Sequence, residues 1–417
     1  MLKDKSVAVI GGGIVGLCTA YHLCRKGAQV TLIERSFAST GASHGNAGSI
    51  SPGSVLPVAY KGMLKEVPRM LLDPAGPLRI TASGIREHSS WLFDFMTAGS
   101  EKRIRNSATD ISAMVQATMA RHLSLLKDIG GGHLLKQTGQ LHLYPDEKAL
   151  SKDQFGWKLR TVHGVEVVPV NRSEIEELEP TVGQNYQTGV FLPEQGMIVD
   201  PSQYIHILKQ ELQKLGANFV EDSVDGFEVV DGRITKIRGQ RESYSCDHIV
   251  VCAGTWSTEL LKPYGYDIPL ANQRGFHLQF GNAGVELSRV VVIADKKVFV
   301  TPMQTGLRAA GTVEVTSLKS DIDMRRAEAL LGHVKSVFPD LNENPRSSWS
   351  GERPCLPDSL PVIGKSGEHH NLWFNFGHGH LGLTLSAVSG EEISKSMESG
   401  EISEIIRGFD YRRFHAT

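Results

Sequence analysis

The sequence predicts an α/β protein: a Rossmann-like domain interleaved with an α+β domain built on an antiparallel sheet. Three observations carry this. Near the start, "VAVIGGGIVGLCTAYHLCRKGAQVTLIER" runs from apolar residues through spaced glycines into helical spacing and a second apolar run. At 417 residues the chain is long enough for two cores. Late in the chain "DHIVVCAGTWS" reads as another buried strand of the first kind, resumed after segments of different character.

The N-terminal elements follow from residue type. Residues 7–10 are a short apolar run suited to a buried parallel strand. Gly11, Gly13 and Gly16 then spell GxGxxG, apolar residues continue at helical spacing, and Gly27 ends the helix. A second strand over 29–33 ends at Glu34. Gly11 permits a tight turn, Gly13 lets a pyrophosphate approach the backbone, and Gly16 lets the helix close on the strand. Glu34 can accept hydrogen bonds from a ribose 2′-hydroxyl. Strand, glycines, helix, strand and acid in register identify a dinucleotide but leave open which one.

A long Gly/Ser/Pro-rich stretch, "STGASHGNAGSISPGSVLPVAYKGM", follows, and a loop of that length is more often functional than idle. "DPSQYIHILKQELQKLGANFVEDSV" reads as a helix opened by Asp200 and Pro201, stopped at Gly216 and followed by a strand. "FEVVDGRITKIRG" is a hairpin turning at Asp231 and Gly232. Two excursions interrupt this block. One holds the amphipathic "ISAMVQATMARHLSLLKDIG" and the strand-like "GQLHLYP"; the other alternates as "FHLQF", "VVVIAD", "KVFVTP" and "LRAAGTVEV", an expected antiparallel sheet. The expected division is 1–80, 194–270 and 354–417 for the nucleotide domain, with 81–193 and 271–353 for the second.

Bulk properties narrow the class. The formal net charge is -2, with no basic block, so nucleic acid is not an expected partner. No apolar run reaches the length of a membrane span, and the N-terminal run carries no signal-peptide pattern. Five cysteines without a CxxC pair argue for a reducing, cytoplasmic compartment. No second GxGxxG unit exists for a separate nicotinamide site. The apolar-basic "VAYKGMLKEVPRMLL" is either a peripheral contact with the inner face of the cell membrane or a plain surface segment.

Taken together, "VIGGGIVG" with Glu34, "SHGNAGSISPG", "VVCAGTWS", "WSGERPCLPDSLPVIG" and "LWFNFGHGHLGLTLS" resemble the D-amino-acid oxidase and dehydrogenase family of flavoproteins over nearly the whole chain. The "NAG-ISPG" loop is most similar to bacterial D-amino-acid dehydrogenases and D-hydroxyproline dehydrogenases. The resemblance implies a Rossmann-like FAD-binding domain of the glutathione-reductase type beside a substrate domain, with FAD held non-covalently, since Cys355 does not match a flavin-attachment position. It assigns FAD contacts to Gly11, Gly13, Ile14, Val15 and Gly16, to Glu34 and Arg35, and to Ser43, His44, Gly45, Asn46 and Ala47. It adds Val224, Ala253, Gly254 and Trp256, then Gly379, Leu381, Gly382 and Thr384.

Within "GHGHLGLT" the glycines free backbone amides, and a helix expected over 383–397 would aim its positive end at the flavin. His378 and His380 stand two residues apart with no Cys or carboxylate cluster, a poor chelate, so no metal is expected. The resemblance implies that Arg353 anchors a substrate carboxylate, with Arg274 as a second such arginine and His380 beside them. Arg308 is a further candidate that more readily supports the sheet, and His44 and Tyr60 are possible pocket residues. The implied reaction is hydride transfer from Cα of a D-amino acid to flavin N5, giving an imine that hydrolyses to a 2-oxo acid and ammonia. Electrons then pass to a quinone, an electron carrier or oxygen. Two alternatives remain open: oxidation of a secondary or cyclic amino acid on the same fold, and a non-catalytic flavin-binding subunit.

Overall fold

The computed structural model describes residues 2–38, 41–59, 67 and 76–415. The apolar run after Lys5 forms the strand Ser6–Ile10, buried along nearly its whole length. It pairs in parallel with Gln29–Glu34 on one side and with His248–Val251 on the other. Asn218–Glu221 extends the sheet beyond Gln29–Glu34, and Leu372–Phe376 extends it beyond His248–Val251. Val362–Lys365 closes the six-stranded sheet in the antiparallel sense. Strands from the two ends of the chain thus share one sheet, and the loops after Ile10 and Glu34 open at one edge of it, where ligands of such sheets bind.

Helix signals act as the residues dictate. Asp200 accepts from the Gln203 amide at 2.9 Å and Pro201 opens the Pro201–Lys214 helix, while Gly216 turns out of it at φ +82°. The hairpin turns through Asp231 and Gly232, both at positive φ. The Gly382–Ser399 helix crosses the Ile14–Arg25 helix closely: a Cβ at Gly390 would lie 2.8 Å from backbone atoms of Cys18 and Thr19. The Glu101–Asp128 helix belongs to the first excursion in sequence. Its apolar stripe, including Ile111, Met114, Val115 and Leu126, nonetheless joins the core of the nucleotide-type sheet.

The second sheet has nine strands, with Arg346–Cys355, Ala271–Phe280, Gly306–Val315, Val298–Met303, Val290–Ile293 and Gln140–Tyr144 side by side in that order. It is mixed rather than purely antiparallel. Val290–Ile293 runs parallel to Gln140–Tyr144, and Leu78–Ile80 runs parallel to Gly306–Val315. The first joins strands of the two excursions and the second joins an earlier segment to the second excursion, and in neither does a tight hairpin constrain direction. Leu78–Ile80 precedes residue 81, so the sheet reaches slightly earlier in the chain than the sequence division places it.

Candidate active site

A cavity of about 1280 Å³ lies between the two sheets. That exceeds the usual range for a single small ligand and leaves room for a dinucleotide with a substrate beside it. Its floor is the glycine turn. Gly11 sits at φ +113°, and a Cβ there would meet the Cys252 carbonyl oxygen at 2.4 Å. Gly13, Ile14 and Val15 line the wall, and the Ile14 amide donates to Ser43 Oγ at 3.0 Å. Gly16 lies beneath the cavity rather than on it: its Cβ would fall 1.9 Å from the Gly11 carbonyl oxygen. Its role is to bring helix and turn together.

Glu34 faces the same cavity and is fixed by its loop. Its carboxylate accepts from the Gly12 amide at 2.6 Å and the Ser36 amide at 3.2 Å, leaving acceptor capacity toward the cavity. The Arg35 guanidinium lies 3.5 Å from the Trp256 ring centroid. Val224, Ala253 and Gly254 complete this end, and His44, Gly45, Asn46 and Ala47 form the adjoining wall. Arg308 does not line the cavity. Its Nη1 donates to the Asn46 carbonyl at 2.6 Å and its Nε to Gln279, so it holds that wall loop against the sheet.

At the other end Gly379, Leu381, Gly382 and Thr384 line the cavity. The Gly382–Ser399 helix, close to the expected span, begins at the cavity without a side-chain cap, directly after a turn over Gly379–Leu381. Thr384 Oγ1 donates to the Ser49 carbonyl at 3.1 Å, fixing the helix start against the preceding loop. His378 is buried with Nε2 unpartnered, and burial pushes its imidazole down to about 3. His380 opens into the cavity. Its ring is exposed to the open cavity, and its pKa is lowered to about 4, by desolvation among the surrounding protein first and by the Arg353 charge second.

Arg353 is in the cavity wall, and no hydrogen bond or ion pair engages its guanidinium among the described residues. The plane rests on Gly275, where a Cβ would come within 2.4 Å of Arg353 Nη2. Arg274 departs from the expectation. It is buried outside the cavity, its Nε donates to Glu352 at 2.8 Å, and its terminal nitrogens donate to the Asp321 and Ser320 carbonyls. With each nitrogen engaged it is a buried structural anchor, not a second carboxylate clamp. Alternation along Ala271–Phe280 explains this: neighbouring residues point to opposite faces, and Gln273 faces the cavity instead.

Sequence reasoning missed Gly12, whose amide fixes Glu34, and Trp349. The Trp349 ring lies against Gly45 and Gly351 and stacks on His277 with centroids 5.0 Å apart. Glycines on both sides of a tryptophan's contact surface were the available signal. Tyr60 and most of the "VAYKGMLKEVPRMLL" segment lie outside the described residues. No described helix is long and apolar enough to cross a membrane, and no described His, Cys, Asp or Glu residues group as a metal site.

Residues 6–396 match the family described as DAO, FAD dependent oxidoreductase. The chain belongs to this family. As an FAD-dependent oxidoreductase it is 33% identical over 412 residues to a "D-amino-acid oxidase" of Bradyrhizobium diazoefficiens, covering 97% of each chain. A "D-amino acid dehydrogenase" of Vibrio atlanticus is 31% identical over 414 residues, covering 96% of this chain and 97% of the relative. Among solved structures, glycine oxidase from Geobacillus kaustophilus superposes with a TM-score of 0.77 at 16% identity, covering 98% of this chain and 99% of that one. L-Proline dehydrogenase from P. horikoshii gives 0.74 at 17%, covering 100% and 99%. The residues present fit FAD: a glycine cradle open to a pyrophosphate, an acid beside it, and a helix N-terminus at the opposite end.

Proposed function

We propose that this FAD-dependent oxidoreductase oxidises D-amino acids at Cα, and the unengaged Arg353 guanidinium in the cavity wall is the observation that carries the reading. A charge without a protein partner in a largely apolar cavity calls for an anion, and a planar fork matches a carboxylate in two bonds. Two full-length relatives named for D-amino acids support the enantiomer. When bound, FAD supplies the hydride acceptor at N5. Arg353 would hold the substrate carboxylate and Gly275 would keep the guanidinium flat against the strand. Neutral His380 carries no competing charge beside it. The substrate's amine must be deprotonated, so that its lone pair forms the C=N bond as the Cα hydride leaves. Water then adds to the imine and ammonia departs.

Anaerobic titration with D-, L- and cyclic amino acids checks this: D-amino acids should bleach the flavin absorbance. Failure of every amino acid in the panel would remove the assignment. We assign the protein to the dehydrogenase branch, from the "NAGSISPG" loop. Air mixed with the bleached enzyme in a stopped-flow cell should therefore restore the colour more slowly than an artificial acceptor does.

We also propose that the cofactor is not covalently attached. Of the cysteines only Cys252 reaches the cavity, and burial pushes its thiol up to about 12, far from a reactive thiolate. Acid precipitation should release the yellow chromophore into the supernatant, and colour retained in the pellet would contradict the proposal.

A further inference from the structure

Arg160 is a further cation in the same cavity, and the proposed reaction makes no use of it. Its Nε–H donates to the Gly53 carbonyl at 3.1 Å, and its guanidinium carbon lies 4.5 Å from the Trp157 ring centroid. One bond and one stacking contact fix its direction. Its two terminal nitrogens have no hydrogen-bond or ion-pair partner among the described residues, although an arginine fork seeks acceptors on both.

The Asp153 carboxylate, whose charge reaches Arg160, is already engaged. It accepts from the Tyr144 hydroxyl at 2.8 Å and pairs with Lys297 Nζ at 3.6 Å. The other walls of this part of the cavity include Trp157, Phe155 and Phe299. A guanidinium with open donors in such surroundings favours an anion from outside the protein.

Position fixes what kind of anion. Arg353 stands on the Arg346–Cys355 strand. His142, edge-on to Trp157 with centroids 5.0 Å apart, stands on Gln140–Tyr144. Five strand spacings separate those two strands in the sheet order. Through Val292, Phe299, Ala310 and His277, His142 pairs across to Trp349, four residues before Arg353. The two arginines therefore serve well-separated parts of the cavity, and an anion at Arg160 is not the carboxylate held at Arg353.

We propose that Arg160 forms an anion-binding subsite for a carboxylate at the far end of an extended substrate side chain, several carbons from Cα. This rests on the amino-acid reading of the cavity. The test uses the holoenzyme and compares kcat/KM for D-glutamate, D-2-aminoadipate, D-2-aminopimelate and D-2-aminosuberate with neutral D-amino acids of matching chain length.

The preference for acid over neutral should rise along the series and reach tenfold or more for the longer acids. Arg160→Gln should lower that ratio at least tenfold, mainly through KM, and Arg160→Lys should recover part of it. An unchanged ratio in Arg160→Gln overturns the subsite. So does an equal loss for acidic and neutral substrates, which would assign Arg160 to holding Gly53 or to the cofactor. Turnover of neutral amino acids with no acid preference in the parent removes this inference alone, whereas an enzyme that no amino acid reduces takes both readings down.

Discussion

Arg353→Ala is expected to keep its FAD spectrum and fold while losing about 10² to 10⁴ in kcat/KM for amino acids. The size follows from what the residue does in the cavity. A hydrogen bond to a charged group is worth about 1.5–3 kcal/mol, and a two-pronged desolvated pair exceeds that. Removing it also frees the substrate to rotate, so alignment is lost along with affinity. Folding should tolerate the change, because the guanidinium satisfies no protein group and lies in open cavity over Gly275. Arg353→Lys should recover only a fraction, since a point charge cannot copy the fork. A variant that binds FAD and turns over within threefold of the parent would remove the carboxylate-clamp assignment. A further check is Gly275→Ala, which pushes a methyl group into the guanidinium and should raise KM although the arginine is not replaced.

Gly16→Val is expected to yield protein without FAD. The first added carbon, fixed by its bond to Cα, would lie 1.9 Å from the Gly11 backbone carbonyl oxygen, so neither rotates away. Overpacking of ordinary side chains costs about 1–3 kcal/mol, and a rigid contact of this kind costs more. The strain falls on the turn that must cradle the pyrophosphate, so affinity for FAD should drop at least about a hundredfold. The ratio of absorbance at the flavin band to that of protein, with the melting temperature alongside, reads both effects. Gly41→Ala is the matched control: its Cβ meets nothing within 4 Å, and the protein should stay yellow. A Gly16→Val protein fully loaded with FAD would show that the close approach is dispensable.

The cofactor end was legible in sequence because its requirements are local. Gly11, Gly13 and Gly16 are needed by backbone geometry within one turn, and Glu34 ends the next strand, so spacing alone places them together. Arg353 was legible only through a resemblance, since nothing in "WSGERPC" says that its strand borders a cavity. Arg274 shows the limit. One residue of register along Ala271–Phe280 decides between cavity and core, and the Gly275/Phe276 bulge against the neighbouring strand adds a further shift. Arg160 depends on longer range still: its environment joins Gly53, Trp157 and a strand pairing across the two excursions, which no local window contains. The parallel pairings of the large sheet escaped for the same reason.

The Ile14–Arg25 helix lies against the Gly382–Ser399 helix through Gly390, and its sheet includes Leu372–Phe376. This geometry sets a timetable for biosynthesis. The nucleotide motif is made well before two of its neighbours. At about 5–20 residues per second, the stretch between the two helices, roughly 360 residues, takes about 20 to 70 s to make. For that interval the glycine turn lacks the helix that buttresses it. Loss of the Gly382–Ser399 helix would therefore disable a motif that begins at residue 11.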